Sequence, residues 1–295
     1  MIPSKGDRFF NVVNLLLLTA LALATLYPFL YVLTISLSKP ADINRLGLHV
    51  LPLDPTWTAY RKVLANPNLY TAYLNTMVRT GLGVACVVAL TSLTAYPLAK
   101  KSFPLRSLWM KLLVFSMMFS GGLIPSYLLI KQLGLINSVW ALVLPTAVTA
   151  FNLIVMRNFF EAIPVELDES AKMDGGGDWT VFMRIVLPLS TPVLAVIALW
   201  AAVGHWNAWF DAMIYMNDLK KQVLQLFLRH YIINDPNNPT TANLSSEFAL
   251  NDMAQVVPEN LKAALIMIIS FPILLAYPFT QKYFVKGIML GSVKG

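Results

Sequence analysis

Charge is scarce in this chain. Of its 295 residues only 13% are Asp, Glu, Lys or Arg, 57% are hydrophobic, and the mean hydropathy is +0.63. A water-soluble domain carries about 25% charged residues, because its outside faces water. Half that fraction over a chain of this length means that much of the outside faces an apolar medium. A very large soluble core would show short amphipathic segments, whereas here the apolar residues come in long runs. Cysteine is nearly absent too. A single thiol, Cys86, lies within an apolar run, so no internal disulfide is possible and the residue reads as a small apolar filler. The three histidines, His49, His205 and His230, are scattered and show no metal-ligand spacing. No Gly-x-x-x-x-Gly-Lys-Ser/Thr phosphate loop occurs, so an energy source must be another polypeptide or an ion gradient. The spans hold no paired carboxylates, metal spacing or Ser/His arrangement, which ranks an intramembrane enzyme below a transporter. The net charge of +7 comes without a basic stripe interleaved with aromatics. It therefore indicates loops beside anionic lipid, not nucleic acid.

What is present is helical length. A bilayer core takes about 20 apolar residues per helix. Six stretches qualify: about Asn11 to Ser36, Tyr70 to Ala99, Leu108 to Ile130, Val139 to Phe160, Thr191 to Tyr215 and Asn260 to Tyr283. The first is too long for a signal-peptide core and reads as an uncleaved anchor. Unalternating runs exclude a membrane barrel, whose strands alternate every second residue. The predicted fold class is thus an all-α polytopic bundle of about six spans. Kinks are expected at Pro28, Pro97, Pro125, Pro145, Pro272 and Pro278. The short loop from Lys100 to Lys111 is the clearest basic segment and places both termini inside. Three regions follow: 1–69, an anchor helix and first outer loop; 70–284, the main membrane domain, with a distinctive inner loop at 160–190; and 285–295, a tail. Two outer segments are long, about Lys39 to Leu69 and Asn217 to Glu259. The second contains the turn-rich stretch from Asn234 to Asn243. Loops of this size suit docking of an external protein or serve as connectors.

The inner loop carries six of the chain's fifteen acidic residues between Glu161 and Asp178. Pro164 suits a first helical position, and Glu166, Asp168 and Glu169 complement the dipole of the turns that follow. Leu167 and Ala171 share a face at i, i+4. Gly175 to Gly177 ends this short helix, and Asp178 suits the N-cap of a second one with Val181, Phe182 and Ile185 on its apolar face. A short helix, a glycine turn and a second helix make a knob shaped to enter a partner's groove. A solvated acidic loop without a partner is the plainer reading.

The loop resembles the "EAA" loop of bacterial ABC import permeases. The matching positions are Glu169-Ser170-Ala171, Gly175, Ile185 and Leu187-Pro188, with Ser170 in place of the usual alanine and Gly176-Gly177 where an alanine is more common. Leu74-Asn75-Thr76, Ala95-Tyr-Pro-Leu-Ala99 and Leu133-Gly-Leu-Ile-Asn-Ser138 look like carbohydrate-uptake permeases of the maltose-permease type. The tail from Gln281 to Gly295 resembles the subgroup for complex oligosaccharides and polysaccharide fragments. The resemblance implies the type I ABC importer permease fold in a bacterial plasma membrane. It implies four kinds of partner: a second homologous permease in a heterodimer, two ATPase subunits, an extracytoplasmic solute-binding protein and membrane lipid. It implies no cofactor in this chain, with ATP and Mg bound by the ATPase. The implied ATPase-coupling residues are Leu167, Glu169, Ser170, Ala171, Asp174, Gly175, Ile185, Leu187 and Pro188. A permease for a non-sugar solute is the alternative, and an ion-coupled secondary transporter the more distant one.

For the cargo path, the sequence from His205 to Tyr215 offers Trp206, Asn207 and Asp211, with Arg79 from the second span. Trp206 lines the path or sits in an interfacial aromatic belt. Asn207 and Asp211, at i, i+4, are expected to face a cavity together, because polar groups avoid lipid. Arg79 joins them or pairs with Asp211. The ionisable residues Arg79, Asp211 and Lys262 are placed near the outer ends of spans, where long side chains reach the interface.

Overall fold

The computed structural model describes residues 5–39, 51–52, 54–232 and 258–291. Residues 40–50 and 53 of the first long outer segment, residues 233–257 of the second (with the stretch from Asn234 to Asn243) and the last four residues of the tail lie outside the described residues, as do the side chains of 276–291. Among the described residues there is helix and no strand. In chain order the helices are α1 (Lys5–Leu37), α2 (Thr58–Leu64), α3 (Pro67–Ala99), α4 (Arg106–Met118), α5 (Leu123–Gln132), α6 (Trp140–Thr146), α7 (Ala150–Glu161), α8 (Val165–Met173), α9 (Asp178–Leu189), α10 (Thr191–Asn207), α11 (Phe210–Tyr215), α12 (Leu224–Ile232) and α13 (Pro258–Gly291).

The spans are less uniform than the hydropathy suggests. Two described helices are long and apolar enough to cross a bilayer unbroken, Phe9–Leu37 within α1 and Pro67–Ala99. Three more candidates are bent pairs: α4 with α5 at 112°, α6 with α7 at 53°, and α9 with α10 at 77°. The expected span from Leu108 to Ile130 is therefore broken. Its cause is local, since Phe119 is extended and Gly122 takes φ +87°, a region glycine enters without steric cost. Pro145 lies in the 3-10 turn Leu144–Thr146, where the expected fourth span bends. Pro28 and Pro97, by contrast, sit inside continuous helices. The expected fifth span also breaks, at Ala208 and Trp209, between α10 and α11. The 34-residue α13 covers the expected sixth.

The chain divides into two compact units, which are described separately. In the first, residues 1–69 with 228–271, the end of α1 is tied down by polar contacts. Asn260 Nδ2 donates to the carbonyls of Ile35 at 2.7 Å and Ser38 at 2.8 Å, and the Ser36 and Tyr60 hydroxyls are 2.8 Å apart. These bonds satisfy carbonyls that the end of α1 leaves orphaned. No position in the most apolar window of α1 is buried by the described residues, as suits a lipid-facing helix.

In the second unit, residues 70–227 with 272–295, one stripe of α3 organises the packing. Ala72, Thr76, Arg79, Gly83 and Val87 recur every three or four residues and are all buried. Thr76 Oγ1 accepts from the Leu224 N–H at 2.8 Å, Arg79 reaches Ala208 and Asp211, and Gly83 meets the ring of His205. Val87 joins a cluster with Met156, Phe182, Val193 and Ile197. Two residue types drive this register. Glycine allows the ring to lie against the α3 backbone, and the polar residues in the stripe find partners that spare them lipid.

Candidate functional site

The loop singled out from the sequence folds as a short helix, a turn and a second helix. Pro164 occupies the N-cap of α8 and not its first turn, one position earlier than expected. Glu166 and Asp168 lie in the first turn, where acidic groups offset the exposed N–H ends. Gly175 takes φ +82°. Its N–H donates to the Lys172 carbonyl at 3.0 Å and the Gly176 N–H to the Ala171 carbonyl at 2.8 Å. This is a complete Schellman stop, and it is why a glycine belongs at 175. Gly177, not Asp178, is the N-cap of α9, and no side-chain cap forms there. Asp178 is taken up by Lys100 instead, at 2.6 Å.

That ion pair belongs to a network holding the knob to the bundle. Lys100 also reaches Asp168 at 3.4 Å and lies 4.6 Å from the Tyr96 ring centre, while the Tyr96 hydroxyl donates to the Asp178 carbonyl at 3.2 Å. Lys172 closes the square to Asp168 at 3.0 Å and Asp178 at 3.5 Å. At the root of the knob Glu161 binds Arg106 at 2.6 Å and Arg157 at 2.5 Å, and both arginines donate to the Leu98 carbonyl at the end of α3. Burial alone would lower the Lys100 pKa, but its hydrogen bonds to Asp178 and Tyr96 more than offset this and raise it. The hydrogen bond from Lys100 holds the Asp178 carboxyl below its ordinary value. The pair thus contributes fully above the ordinary carboxylate value of 3.8 and below the ordinary lysine value of 10.5. It weakens as pH falls through the lowered Asp178 value or rises through the raised Lys100 value. The attachment of α8 is therefore expected to be flat in pH across the neutral range, as proteolysis or amide exchange of 165–178 would measure. Reversing one charge is different. Lys100→Glu sets a carboxylate beside Asp168 and Asp178, and each like-charge contact costs about 1 kcal/mol or more near the surface. Amide exchange at Asp174 to Gly176 is expected to speed by about tenfold or more in that variant.

The faces of α8 are now defined. Leu167, Glu169, Ser170, Asp174 and Gly175 are exposed. Ala171 is not on that face: it is half-buried against the cluster of Met156, Phe160 and Phe182, so its small size serves the attachment of the helix. Leu167 and Ala171 therefore do not present one common outward surface. Ile185 and Leu187 are likewise half-buried, Leu187 packs on the same cluster, and Pro188 is exposed. Ile185 lies in a π-helical stretch, Phe182–Val186, just before Pro188. Proline cannot donate to the carbonyl one turn earlier, which favours a wider turn there. Two residues that the sequence reasoning passed over stand out: Val165 is 60% exposed and Met173 88%. With Glu169 they form an i, i+4, i+8 stripe on the outer side of α8, a spacing that was legible had the inward face been known. A cavity of about 490 Å³ beneath the helix is lined by Lys100, Glu161, Leu167, Asp168, Lys172 and Ile185, among others.

The residues proposed for the cargo path are dispersed. Arg79 is 1% exposed and does not reach an interface. It pairs with Asp211 through Nη2 and donates from Nη1 to the Ala208 carbonyl at 3.1 Å. Trp206 is buried, edge-on to Tyr73 at 5.7 Å, so it is not a lipid-facing belt residue. Asn207 is exposed and accepts from Gln225 Nε2 at 3.3 Å. Because the helix breaks at Ala208 and Trp209, Asn207 and Asp211 are not one turn apart on a single helix and do not share a face. Lys262 is half-buried within α13.

Three polar residues of the sequence signatures have a different task. Asn75 Nδ2 donates to the carbonyls of Lys220 at 2.8 Å and Gln222 at 3.0 Å. Asn137, at φ +59°, accepts through Oδ1 from the N–H groups of Asn217 at 2.7 Å and Asp218 at 3.2 Å. With Thr76 on Leu224, they pin the segment 217–224 to α3 and to the loop between α5 and α6. Asparagine suits position 137 because it tolerates the left-handed region. Asn137→Ala is expected to free this segment and raise its amide exchange by several-fold, about the effect of one to two lost hydrogen bonds.

Bent and straight apolar helices, with a compact, charge-anchored knob between two candidate spans, fit a membrane transport subunit. The comparisons agree. Residues 87–289 match the family described as binding-protein-dependent transport system inner membrane component, and the chain belongs to that family. It is 42% identical to Protein LplC of Bacillus subtilis (strain 168), over 99% of this chain and 97% of that one. It is 39% identical to the polygalacturonan/rhamnogalacturonan transport system permease protein YtcP of the same organism, over 98% and 99%. Among solved structures, a chain of a bacterial ABC transporter involved in the import of the acidic polysaccharide alginate superposes with a TM-score of 0.86. It is 33% identical, with 96% of this chain and 99% of that one covered. The protein is a multi-pass inner-membrane transport component with the type I importer permease fold.

Proposed function

We propose that this chain is one half of the translocation path of an ATP-binding-cassette importer for saccharides, with oligosaccharides or polysaccharide fragments as cargo. The observation that carries the reading is the α8–α9 knob, whose inner face is fixed by ions and apolar packing while Val165, Glu169 and Met173 are left outward. An element fixed on one side and exposed on the other transmits a push as a rigid body. The pushing partner is a cytoplasmic ATPase that holds ATP and Mg, two copies serving this chain and a second homologous permease. A solute-binding protein delivers cargo from outside, and both termini lie in the cytoplasm with the knob. Closure of the ATPase dimer moves the knob and turns the bundle from inward-open to outward-open. The saccharide assignment is supported by the relatives, whose names include polygalacturonan, rhamnogalacturonan and alginate. Arg79 does not argue for acidic cargo, because its charge is already met by Asp211.

Purification of the assembled complex with its binding protein tests this. Mass spectrometry of the released ligand is expected to find a saccharide, and an amino acid or peptide there would overturn the cargo class. Glu169→Lys puts a cation in the outward stripe and is expected to lower ATP-driven uptake by about a hundredfold, the effect of an interface charge that finds no partner. Membrane levels of the subunit should not change. Parental uptake by that variant would remove α8 from the ATPase contact.

A further inference from the structure

We infer that Arg79 is a positioning residue for transport, pinning the helix break between α10 and α11. The inference rests on the transport reading above and goes beyond it. Four observations carry it. The break at Ala208 and Trp209 leaves the Ala208 carbonyl outside a continuous helix, and Arg79 Nη1 donates to that carbonyl at 3.1 Å. On the other side of the break, Asp211 binds Arg79 Nη2 through one oxygen and accepts from the Ala212 N–H through the other, at 2.9 Å. One planar guanidinium thus holds both stumps of a discontinuous helix, which a lysine ammonium does not reproduce. The cation also sits at the C-terminal end of α10, where it meets the negative end of the dipole.

Its surroundings make this a fixed point. Arg79 lies in the buried stripe of α3, one turn from Thr76, which accepts from Leu224, and one turn from Gly83, against which His205 packs. α3 thus meets α10 at His205, the break at Arg79 and the start of α12 at Leu224. Discontinuous helices in transporters place backbone ends and polar side chains where cargo passes. Asn207, on the α10 side, is exposed and Asp211, on the α11 side, is only partly covered. Arg79 sets the separation and direction of these two groups without itself being open to cargo. Among the described residues its Nε has no partner, and the cation is held through its two Nη contacts.

The test uses the full complex in membranes, with Cys86→Ser and a reporter Ala208→Cys. Labelling by a membrane-permeant maleimide reads the break directly and needs no solute. Arg79→Gln and Asp211→Asn are each expected to raise the labelling rate by about tenfold or more, because breaking one side of a buried pair strands the other charge. The double variant should label no faster than either single one, since it strands neither. Arg79→Lys, which keeps the charge and so the best chance of insertion, should show a smaller rise in the same direction. Uptake is read alongside, using the binding protein loaded with its purified ligand. The pin predicts a fall in maximal rate in both single variants, with half-saturation moving in the same direction in both or not at all. Unchanged labelling in both single variants overturns the inference. So does a split in which Arg79→Gln weakens half-saturation and Asp211→Asn strengthens it, because Arg79 would then bind cargo. Raised labelling in a complex whose parent takes up no saccharide supports the pin and overturns the cargo assignment instead.

Discussion

Gly175→Val is expected to lower coupled uptake by about 5–30-fold while leaving the subunit inserted at parental levels. The residue holds φ +82° at the end of α8. A β-branched side chain in that region is a steric outlier, and the left-handed conformation costs a non-glycine residue about 1–2 kcal/mol. No described neighbour lies within 4 Å of a Cβ placed there, so the cost is backbone strain and not collision. Strain of that size lowers the share of chains with a correct turn by about 5–30-fold. The chain relieves it by losing the bonds from Gly175 to Lys172 and from Gly176 to Ala171, which set the direction of α8 relative to α9. Gly175→Asn separates the causes, because asparagine enters the left-handed region more readily. It should keep most of the uptake. Equal loss in both variants would mean that the bare surface at 175 matters and its conformation does not. Uptake and ATPase stimulation, measured in vesicles matched for subunit content, decide between them.

The second large effect is expected at Gly83, in the spans. A Cβ there would lie far inside contact distance of the His205 ring. His205 is itself buried, so the ring has little room to withdraw. Overpacking of this kind costs about 1–3 kcal/mol for a small addition, and Gly83→Leu adds much more than one carbon. Gly83→Leu is expected to lose the folded subunit from the membrane, and Gly83→Ala to lower its melting temperature in detergent. Combining Gly83→Ala with His205→Ala should recover most of the loss, since the second change removes the obstructing ring. Failure of that recovery, with both single variants unstable, would assign the glycine to helix flexibility instead of close approach.

The expectations for α8 and α3 differ in how much of them the sequence could show. The glycine at 175 was readable because a helix stop and a run of three glycines coincide, and conformational freedom is a property of the residue itself. Gly83 was not, because nothing within ten residues of it indicates that His205 lies opposite. The same contrast runs through the acidic loop. Its helical turns and dipole complement were evident, but its acidic residues looked like a solvated patch until Lys100, Arg106 and Arg157 were found against them. Ala171 was grouped with Leu167 by spacing, and with Glu169 in the coupling set that the resemblance implied. Spacing gives which residues share a face, and only the packing of α8 on Met156 and Phe182 says which face is inside.

By itself the sequence determined the apolar medium, the predominance of helix, the place of the knob and the family, because run length, glycine and proline act through the chain's nearest residues. The tertiary structure alone decided the break at Ala208 and Trp209, the partner of Arg79 more than a hundred residues away, and the inward turn of Ala171. A buried charge or a missing side chain is settled by whatever surface the fold brings against it, and that surface is written in distant parts of the chain.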